Sequence, residues 1–539
     1  MDLMHPAPQD PHPAPRVAVV VIGYDDAAHV ADAVRSALRQ GPAVGEVIAV
    51  DDCSTDGSAG LLERLAGHDP RLRVIRRSEN SGGCGTPRNT GIDAVTLPYV
   101  MFLDSDDVLP AGAVDALLRA ATEAGAEVAS GLCVRRELPS GREQPWQPAL
   151  YAAPAVLARP ADRPRLVEDT LCVNKLYLTS FLREHGIRFP EGPFLYEDFV
   201  FTARVLAAAP RVALVPDRVY TWNVRRSAGR LSLSLDRDGI GNWRSRTRAC
   251  AQAHDILLGA GQKVLAQAAR VKFLDHELRM YVRELGLRSA EYRRAWWEHT
   301  REYLGHYGAA DWEPDTASPS RLIGRVIMAC PEPADLPRLR ELAARPARLL
   351  PPYARAADGT PVWSDALPQV DLSPLLTRPV HALPLTVDAE LMVRARTSRL
   401  RLRLHELYGR VAGAEPLAVT AEWRFRATGR TARRVTIPLA PTASGLWTAE
   451  TPVDLTALGA GVWDLWLILR FKDGTTREAT AHARHDSPHL RRHALPNLRH
   501  LLLLAHPYPT HSGALALRVA VGPGGAARVA RGRLRRILR

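Results

Sequence analysis

Cysteine is scarce in this sequence, and its six copies are far from one another. No two of them form a C-x-x-C pair; they occur at positions 53, 84, 133, 172, 250 and 330. Zinc sites and redox pairs need close cysteine spacing, and a disulfide framework is rare in a chain of 539 residues. We therefore expect neither a structural zinc site nor a disulfide-stabilised fold.

Long hydrophobic runs are also missing. A membrane-spanning helix needs about 20 apolar residues, whereas the run Leu501–Leu504 has four. Residues 1–15 are rich in proline and lack the charged and apolar regions of a signal peptide. We expect this N-terminal stretch to be disordered and the protein to be cytoplasmic, with the inner face of the plasma membrane as a second option.

Acidic residues are absent from the C-terminal end, where residues 487–539 contain ten arginines. This excess contributes to a formal net charge of +13, which favours a polyanion or an anionic membrane as partner. We predict a basic tail over 486–539, suited to peripheral contact with an anionic membrane. Disorder with solubilising charge is the alternative. Charge alone does not make nucleic acid an expected partner.

Strand and helix patterns alternate through residues 16–235, which predicts an α/β fold with a doubly wound, mostly parallel sheet. Four short apolar segments, each bounded by polar residues, supply its central strands: Val17–Ile22, Glu46–Val50, Leu72–Ile75 and Tyr99–Leu103. Ligands bind at the carboxyl ends of such strands. Residues that follow these four segments are therefore the candidates for a functional site.

Three carboxylates follow the last of these strands, at Asp104, Asp106 and Asp107. Acids this close repel one another and raise each other's pKa, so a divalent cation with oxygen ligands would stabilise them. The alternative is an acidic turn that caps the next helix. The residues alone leave both interpretations open.

Other strand ends favour a nucleotide. Tyr24 could stack on a base, and Asp52 could accept hydrogen bonds from a base or ribose. The glycines of Gly82–Gly85 could let backbone amides approach a phosphate. Each feature has an ordinary alternative as a strand-end residue or turn former, but their order along the chain favours a nucleotide site.

Four motifs carry a resemblance: V-V-V-I-G-Y-D, V-D-D-C-S-T-D-G-S, N-S-G-G-C-G-T-P-R-N-T-G-I and Y-V-M-F-L-D-S-D-D. In this order they resemble family 2 glycosyltransferases with the GT-A fold, over roughly residues 16–235. The resemblance implies that Tyr24 and Asp52 contact the nucleobase and that Arg88 lies near the nucleotide and diphosphate. It also implies that Asp104 and Asp106 bind the ribose and a Mn²⁺ or Mg²⁺ ion.

The acceptor half of the same family is resembled by Asn174–Tyr177, Phe189–Glu191 and Tyr196–Asp198. In that family the E-D pair supplies the catalytic base that a weakly nucleophilic sugar hydroxyl requires. The alternative is that Glu197 and Asp198 merely open a helix, where acids favour the first turn. We favour the base, with Asp198 ahead of Glu197.

The segment from Tyr220 to Ser234 resembles the loop that closes over the diphosphate in relatives. Arg226 and Ser232 are its candidates for neutralising the leaving group. Some relatives place a metal-binding histidine here, but this sequence has none between His185 and His254.

The remaining sequence predicts a helical linker at 236–350 and, after a proline-rich stretch, an antiparallel β-sandwich at 370–485 with period-two strands. Teichoic acid glycosyltransferases of this family have a similar layout, and some of their sandwich modules form trimers. The resemblance therefore makes a homo-oligomer one of the expected assemblies. Exposed arginine and tryptophan on the sandwich could bind an anionic polymer, with ordinary solvated strand faces as the alternative.

These observations predict an inverting, metal-dependent hexosyl- or N-acetylhexosaminyltransferase. Its donor would be a nucleotide sugar, with UDP as the expected nucleotide, and its acceptor a polysaccharide or polyol-phosphate of the cell envelope. A nucleotidyltransferase is one alternative, although the sequence lacks the G-x-G-T-R-L-type loop of those enzymes after the first strand. A non-catalytic scaffold that binds an anionic polymer is the other.

Overall fold

The computed structural model describes residues 16–225, 236–313, 317–443, 445–484, 487–497, 501–510, 512–522 and 524. The predicted disordered stretch 1–15 lies outside them. The chain divides into two compact units, Met1–Phe273 and Leu274–Arg539. Among the described residues, no helix combines the length and the apolar character that crossing a bilayer requires.

The first unit alternates strands with helices, as predicted. Its strands are β1 (Val17–Gly23), β2 (Val44–Asp51), β3 (Leu72–Arg76), β4 (Tyr99–Asp104), β5 (Val128–Leu138), β6 (Arg142–Pro145), β7 (Ala155–Leu157), β8 (Lys175–Leu178) and β9 (Val212–Arg225). Its helices are α1 (Val30–Leu38), α2 (Ser58–Ala66), α3 (Gly85–Ala94), α4 (Ala113–Ala124), α5 (Thr179–Glu184), α6 (Glu197–Ala207), α7 (Ile240–Gly259) and α8 (Lys263–Lys272), with 3₁₀ turns at Pro160–Asp162 and Pro164–Glu168. A π-helical turn at Phe273–Leu278 spans the division between the units.

The strands of the first unit form one nine-stranded sheet in the order β3-β2-β1-β4-β8-β5-β9-β7, with β6 paired to β5. β3, β2, β1 and β4 are mutually parallel. β8 is antiparallel to both of its neighbours, while β5 and β9 pair in parallel. This arrangement confirms the α/β prediction with its parallel-rich sheet, and it brings the carboxyl ends of β1, β2 and β4 together.

The central strands are buried on both faces because their sequences are continuous apolar runs, not alternating ones. Val17–Val21 and Val100–Leu103 are almost completely inaccessible to solvent. Gly91 of α3 packs directly on Val20, and a Cβ on this glycine would lie 2.2 Å from the valine side chain. The close approach fixes α3 against β1 and thereby positions Arg88, which lies one turn earlier.

The second unit contains the remaining described helices and two further sheets. Its helices are α9 (Arg279–Leu285), α10 (Ala290–Gly305), α11 (Ala309–Trp312), α12 (Pro319–Ala329), α13 (Leu336–Leu342), α14 (Ser373–Leu376), α15 (Arg410–Gly413) and α16 (Leu455–Leu458), with a 3₁₀ turn at Val380–Ala382. Its strands are β10 (Ala354–Arg355), β11 (Pro361–Ser364), β12 (Leu367–Asp371), β13 (Val387–Met392), β14 (Ser398–His405), β15 (Pro416–Phe425), β16 (Thr431–Pro438), β17 (Ala440–Pro441), β18 (Leu446–Val453), β19 (Gly461–Phe471), β20 (Thr476–Ala483), β21 (His493–Asn497), β22 (Leu501–Pro509) and β23 (Leu515–Val521).

Strands β10–β12 form a small sheet, and β13–β23 form an eleven-stranded one in which most pairs are antiparallel. β14 shows why the period-two prediction worked: its leucines are buried, while its arginines alternate with them on the more exposed face. β20 pairs with both β13 and β19, in parallel with the first and antiparallel with the second. β20 therefore connects the strands around β13 with those around β19, two sets that would form separate sheets in a β-sandwich.

The elements run across two of the predicted boundaries. Leu257 of α7 and Leu265 of α8 belong to the same buried core as β1, so the first unit continues past residue 235. The sheet of the second unit continues past residue 485 through β21, β22 and β23. The predicted basic tail thus includes strands β21, β22 and β23.

Candidate active site

Arg88 lies at the centre of a cluster of carboxylates. Its side chain is 2% exposed, and its Nη2 donates to Asp104 Oδ1 at 2.7 Å. Its Nη1 donates to Glu197 Oε1 at 2.6 Å and to Asp198 Oδ1 at 3.1 Å. One guanidinium group therefore joins an acid from the end of β4 to two acids from the start of α6.

Each member of this cluster is placed by a different element. Arg88 lies in the first turns of α3, Asp104 is the last residue of β4, and Glu197 and Asp198 are the first residues of α6. Acids at a helix N-terminus are stabilised by the unpaired backbone amides there. The two interpretations of the E-D pair are therefore compatible, because both acids open a helix and both contact Arg88.

Tyr196, immediately before the acid pair, has a left-handed backbone with φ of 66°. This conformation is costly for a residue with a large side chain. The tyrosine hydroxyl donates to Asn242 Oδ1 at 2.7 Å, and the guanidinium of Arg246 lies 4.4 Å from the ring centroid. Asn242 and Arg246 of α7 therefore stabilise the turn that positions Glu197 and Asp198.

The acid pair is buried, with Glu197 12% and Asp198 20% exposed at the side chain. Burial, followed by the charge of Asp198, raises the pKa of Glu197 to about 7. Burial also raises the pKa of Asp198, although the Arg88 guanidinium opposes the shift. A carboxylate whose pKa is near neutral can accept a proton during catalysis and release it afterwards.

Asp107 and Asp106 play different roles although they are adjacent. Asp107 is buried, accepts from Tyr220 Oη at 2.8 Å and from the Asn223 amide at 2.7 Å, and so ties β9 to the end of β4. Asp106 has a looser partner, since Arg225 Nη1 is 3.7 Å from its Oδ2. Burial, then the charges of Asp104 and Asp26, raises the pKa of Asp106 to about 6.

Asp104 and Asp106, at the end of β4, offer oxygen ligands of the kind that a divalent cation binds, but too few to complete its coordination. Burial raises the pKa of Asp106 most, the charges of Asp104 and Asp26 add to the shift, and a bound cation would oppose it by favouring the charged carboxylate. Within the described part of the chain, no cluster of three or more His, Cys, Asp or Glu has the arrangement of a metal site. An ion held by Asp106 and Asp104 would therefore need oxygen ligands from substrate or water.

The two residues predicted to contact the nucleobase lie at the same edge of the sheet. Tyr24 follows β1 and is 36% exposed. Asp52 follows β2 and is buried; its Oδ2 accepts from Ser81 Oγ at 2.7 Å and from the Ser81 amide at 3.0 Å, and its Oδ1 faces Arg77 Nε at 2.8 Å. Asp52 therefore also fixes the loop that precedes α3.

Two glycines of this loop, Gly83 and Gly85, allow two backbone segments to pack closely. A Cβ on Gly83 would lie 2.5 Å from Gly192 O, and one on Gly85 would lie 1.9 Å from Pro190 O. Both glycines thus allow the segment before α6 to pack against the start of α3. Gly83 and Gly85 therefore have a packing role, and the approach of backbone amides to a phosphate stays a prediction.

Sequence reasoning missed several residues of the site. Asp26 accepts from Ser105 Oγ at 2.8 Å, and Arg225 Nη1 donates to the Asp106 carbonyl at 3.0 Å. The double acid after β1 and the polar residues at the end of β9 were the available signals. The predicted loop residues Arg226 and Ser232 lie outside the described residues.

The model of the family described as "Glycosyl transferase family 2" matches residues 18–186. The succinoglycan biosynthesis protein ExoO of Rhizobium meliloti (strain 1021) is 29% identical over 231 residues, which are 41% of this chain and 64% of that protein. The poly(ribitol-phosphate) beta-N-acetylglucosaminyltransferase TarS of Staphylococcus aureus (strain Mu50 / ATCC 700699) is 28% identical over 40% of this chain and 37% of its own length. The poly(ribitol-phosphate) beta-glucosyltransferase of Bacillus spizizenii (strain ATCC 23059 / NRRL B-14472 / W23) is 31% identical over 35% of this chain and 29% of its own.

The matches therefore span between 29% and 64% of the length of these relatives. The crystal structure of S. aureus TarS has a similar fold, with a TM-score of 0.52 at 18% identity, over 94% of this chain and 85% of that one. The family match covers the predicted donor-site residues Tyr24, Asp52, Arg88, Asp104 and Asp106. Residues 18–186 of this chain are therefore similar to the domain that the glycosyl transferase family 2 model describes.

Proposed function

We propose that this protein is an inverting glycosyltransferase that transfers a sugar from a UDP-linked donor to a hydroxyl of a cell-envelope polymer. One observation carries the proposal: acids from two separate segments, Asp104 and the pair Glu197–Asp198, meet on the same buried arginine. Glycosyl transfer needs a donor site and an acceptor base side by side. The guanidinium of Arg88 holds the residues proposed for both.

The donor would bind along the edge formed by β1, β2 and β4. Tyr24 offers an exposed ring beside the buried carboxylate of Asp52, which suits a base and its polar edge. Asp106 and Asp104 would hold Mn²⁺ or Mg²⁺. When bound, such an ion would act as a Lewis acid that stabilises the negative charge of the leaving diphosphate.

The role that we infer for Arg88 differs from the one that the resemblance implied, which was a position near the nucleotide and diphosphate. Its side chain is buried, and both of its terminal nitrogens already donate to carboxylates. We infer that Arg88 positions Asp104 and Asp198, and that phosphate contacts come from other groups. The proposed role of Arg88 is thus indirect.

Asp198 is the better of the two candidates for the base. Its side chain is more exposed than that of Glu197, and its Oδ2 accepts from the Cys172 amide at a long distance of 3.4 Å. Its carboxylate would take the proton of the acceptor hydroxyl. The hydroxyl oxygen then bonds to the anomeric carbon from the opposite face, and the electron pair of the broken bond leaves with the nucleoside diphosphate. A single displacement of this kind inverts the anomeric configuration.

The printed names of the relatives support the acceptor class. Two of them act on poly(ribitol-phosphate), and the third is a succinoglycan biosynthesis protein. We therefore propose a polyol-phosphate or polysaccharide acceptor and a hexosyl or N-acetylhexosaminyl donor. Cytoplasmic location, contact with the inner membrane face and homo-oligomer formation stay predictions.

The test is release of UDP from UDP-glucose, UDP-N-acetylglucosamine and related donors, measured with and without an acceptor polymer. We expect one donor to be turned over faster when its acceptor is present, and the anomeric configuration of the product to be opposite to that of the donor. Retention of configuration would contradict the single displacement. Polymer binding with no turnover of any donor would favour the non-catalytic scaffold, whose support is the large sheet of the second unit.

A further inference from the structure

The second unit has a groove of about 290 Å³ with arginines at its edge. Arg394 and Arg396 come from the turn between β13 and β14, and Arg433 comes from β16. Apolar side chains of α16, β21 and β22 also line the groove: Leu455, Leu495 and Leu503. The last two belong to the segment that sequence analysis assigned to a basic tail.

The charge in this groove is unbalanced. Arg394, Arg396 and Arg433 are exposed, and none of them forms an ion pair or donates a side-chain hydrogen bond to another residue that the structure describes. Arginines on the adjacent strand behave differently, since Arg399 and Arg401 pair with Glu450 at 2.8 and 3.0 Å. The three groove arginines are therefore available to a ligand.

One acid, Asp454, lies among the described residues that line the groove, and it is already used. Its Oδ1 accepts from the Thr456 amide at 2.9 Å and from Thr456 Oγ1 at 2.6 Å, which caps the short helix α16. These hydrogen bonds are the main reason that its pKa is lowered, and Arg433 adds a smaller contribution. The groove therefore offers three exposed guanidinium groups beside one acid that already caps a helix.

Arginine forks match the oxygens of phosphate groups, and leucine side chains match carbon skeletons. A ligand with recurring negative charges joined by short carbon chains would satisfy both surfaces. We propose that this groove binds a short stretch of a polyol-phosphate chain, with the three arginines on its phosphates and the leucines against its carbon atoms. The inference rests on the proposed function, because it concerns the acceptor polymer of that reaction.

The concave shape of the groove favours a single polymer chain over an anionic membrane as its ligand. A bilayer surface is broad, and it is contacted by residues that protrude. Leu503 is buried and Leu495 is half-buried, whereas the three arginines that line the same groove are exposed. Binding to lipid headgroups is therefore an outcome that the experiment must exclude.

The test compares two variants of the full chain that lose the same charge. The groove variant carries Arg394→Gln, Arg396→Gln and Arg433→Gln. The control carries Arg410→Gln, Arg430→Gln and Arg470→Gln, three exposed arginines of the same unit that do not line the groove. Calorimetry with a short poly(glycerol phosphate) would measure the Kd, and polygalacturonate, dextran and phosphatidylglycerol vesicles would be the other probes.

We expect the groove variant to bind poly(glycerol phosphate) at least about tenfold more weakly, since each lost arginine contact to a charged group removes roughly that factor. The control should stay within about twofold, because its arginines do not line the groove and act on the polymer only through a field that salt screens. Equal losses in both variants, or equal affinity for polygalacturonate, would overturn the assignment to phosphate. Loss of vesicle binding with polymer binding retained would assign the groove to a membrane and overturn the proposal.

The two proposals fail separately. If the wild-type protein binds poly(glycerol phosphate) through the groove but releases no UDP from any donor, the groove proposal stands and the transferase proposal is wrong. If the wild-type protein turns over its donor and the groove variant binds polymer normally, the groove proposal is wrong and the transferase proposal stands.

Discussion

Arg88 joins Asp104 to Asp198, with its Nη2 2.7 Å from Asp104 Oδ1 and its Nη1 3.1 Å from Asp198 Oδ1. The two acids are far apart in the chain, and each belongs to a different half of the proposed reaction. Because the guanidinium is planar, its two terminal nitrogens fix the acids relative to each other. The distance between donor site and base therefore depends on one buried side chain.

Replacing Arg88 by lysine should separate charge from geometry. A lysine ammonium keeps the positive charge but cannot present two nitrogens in one plane. We expect Arg88→Lys to lower kcat by about 100-fold, because a displacement of about 1 Å at a reacting centre has effects of this size. The matched control is Arg188→Lys, where the exposed arginine pairs with Asp93. A thermal unfolding curve for each variant shows whether the fold is kept, and near-normal turnover by folded Arg88→Lys would contradict the positioning role.

Asp198→Asn should remove the base and leave the nucleotide site intact. We expect kcat for transfer to fall by about 10²–10⁴-fold, which is the usual contribution of a general base. Calorimetric affinity for UDP should stay close to that of the wild type. Transfer at a near wild-type rate would reject Asp198 as the base, and a larger loss in Glu197→Gln would move the role to Glu197.

The rate of transfer should rise with pH through the region near neutrality. A base must be deprotonated to accept a proton, and the pKa values of Glu197 and Asp198 are both raised by burial, that of Glu197 to about 7. Because burial raises the pKa of the proposed base Asp198, activity is expected to be lost with falling pH at a higher pH than an ordinary aspartate would give. Glu197→Gln removes the neighbouring acid and should move the acidic limb of the kcat/KM profile to lower pH. An unchanged limb in this variant would show that the two acids do not titrate together.

Asp106→Asn should uncouple UDP binding from the cation. In wild type, we expect Mn²⁺ to tighten UDP binding, because Asp106 lies among acids that repel a diphosphate unless a cation is present. The variant should lose that dependence and should bind UDP without metal at least as well as the wild type does. Asp32→Asn, on the exposed face of α1, is the control. Persistence of the full Mn²⁺ effect in Asp106→Asn would exclude Asp106 as a ligand.

Gly85→Ala should destabilise the first unit, since the added Cβ would lie 1.9 Å from Pro190 O. Overpacking of this kind typically costs about 1–3 kcal/mol. Gly60→Ala in α2 is the matched control, because its Cβ would meet only the end of the Arg64 side chain at 3.5 Å. There alanine should stabilise the helix by about 0.5–1 kcal/mol. Urea unfolding would measure both, and equal stability of the two variants would contradict the packing role of Gly85.

The sequence by itself determined the layers of the first unit and the edge at which its site lies. Continuous apolar strands such as Val17–Ile22 can be buried only between helices, and parallel strands bring the residues that follow them to one edge. Tyr24, Asp52, Asp104 and Asp106 could therefore be assigned to that edge from local pattern alone. The alternation of β14 likewise predicted an antiparallel sheet, because period-two burial is a local property.

Tertiary structure decided what the site residues do to one another. No local pattern states that Arg88 would be shared by Asp104 and Asp198, since that contact depends on packing between α3 and the turn before α6, which Gly83 and Gly85 permit. Nor does the sequence distinguish Asp106, which has a raised pKa and a distant partner, from Asp107, which β9 uses as an anchor. Strand periodicity acts over a few residues, whereas burial and charge depend on segments that meet only in the folded chain. That difference in range is why the sequence could indicate the candidate residues, whereas only the fold shows which of them contact one another.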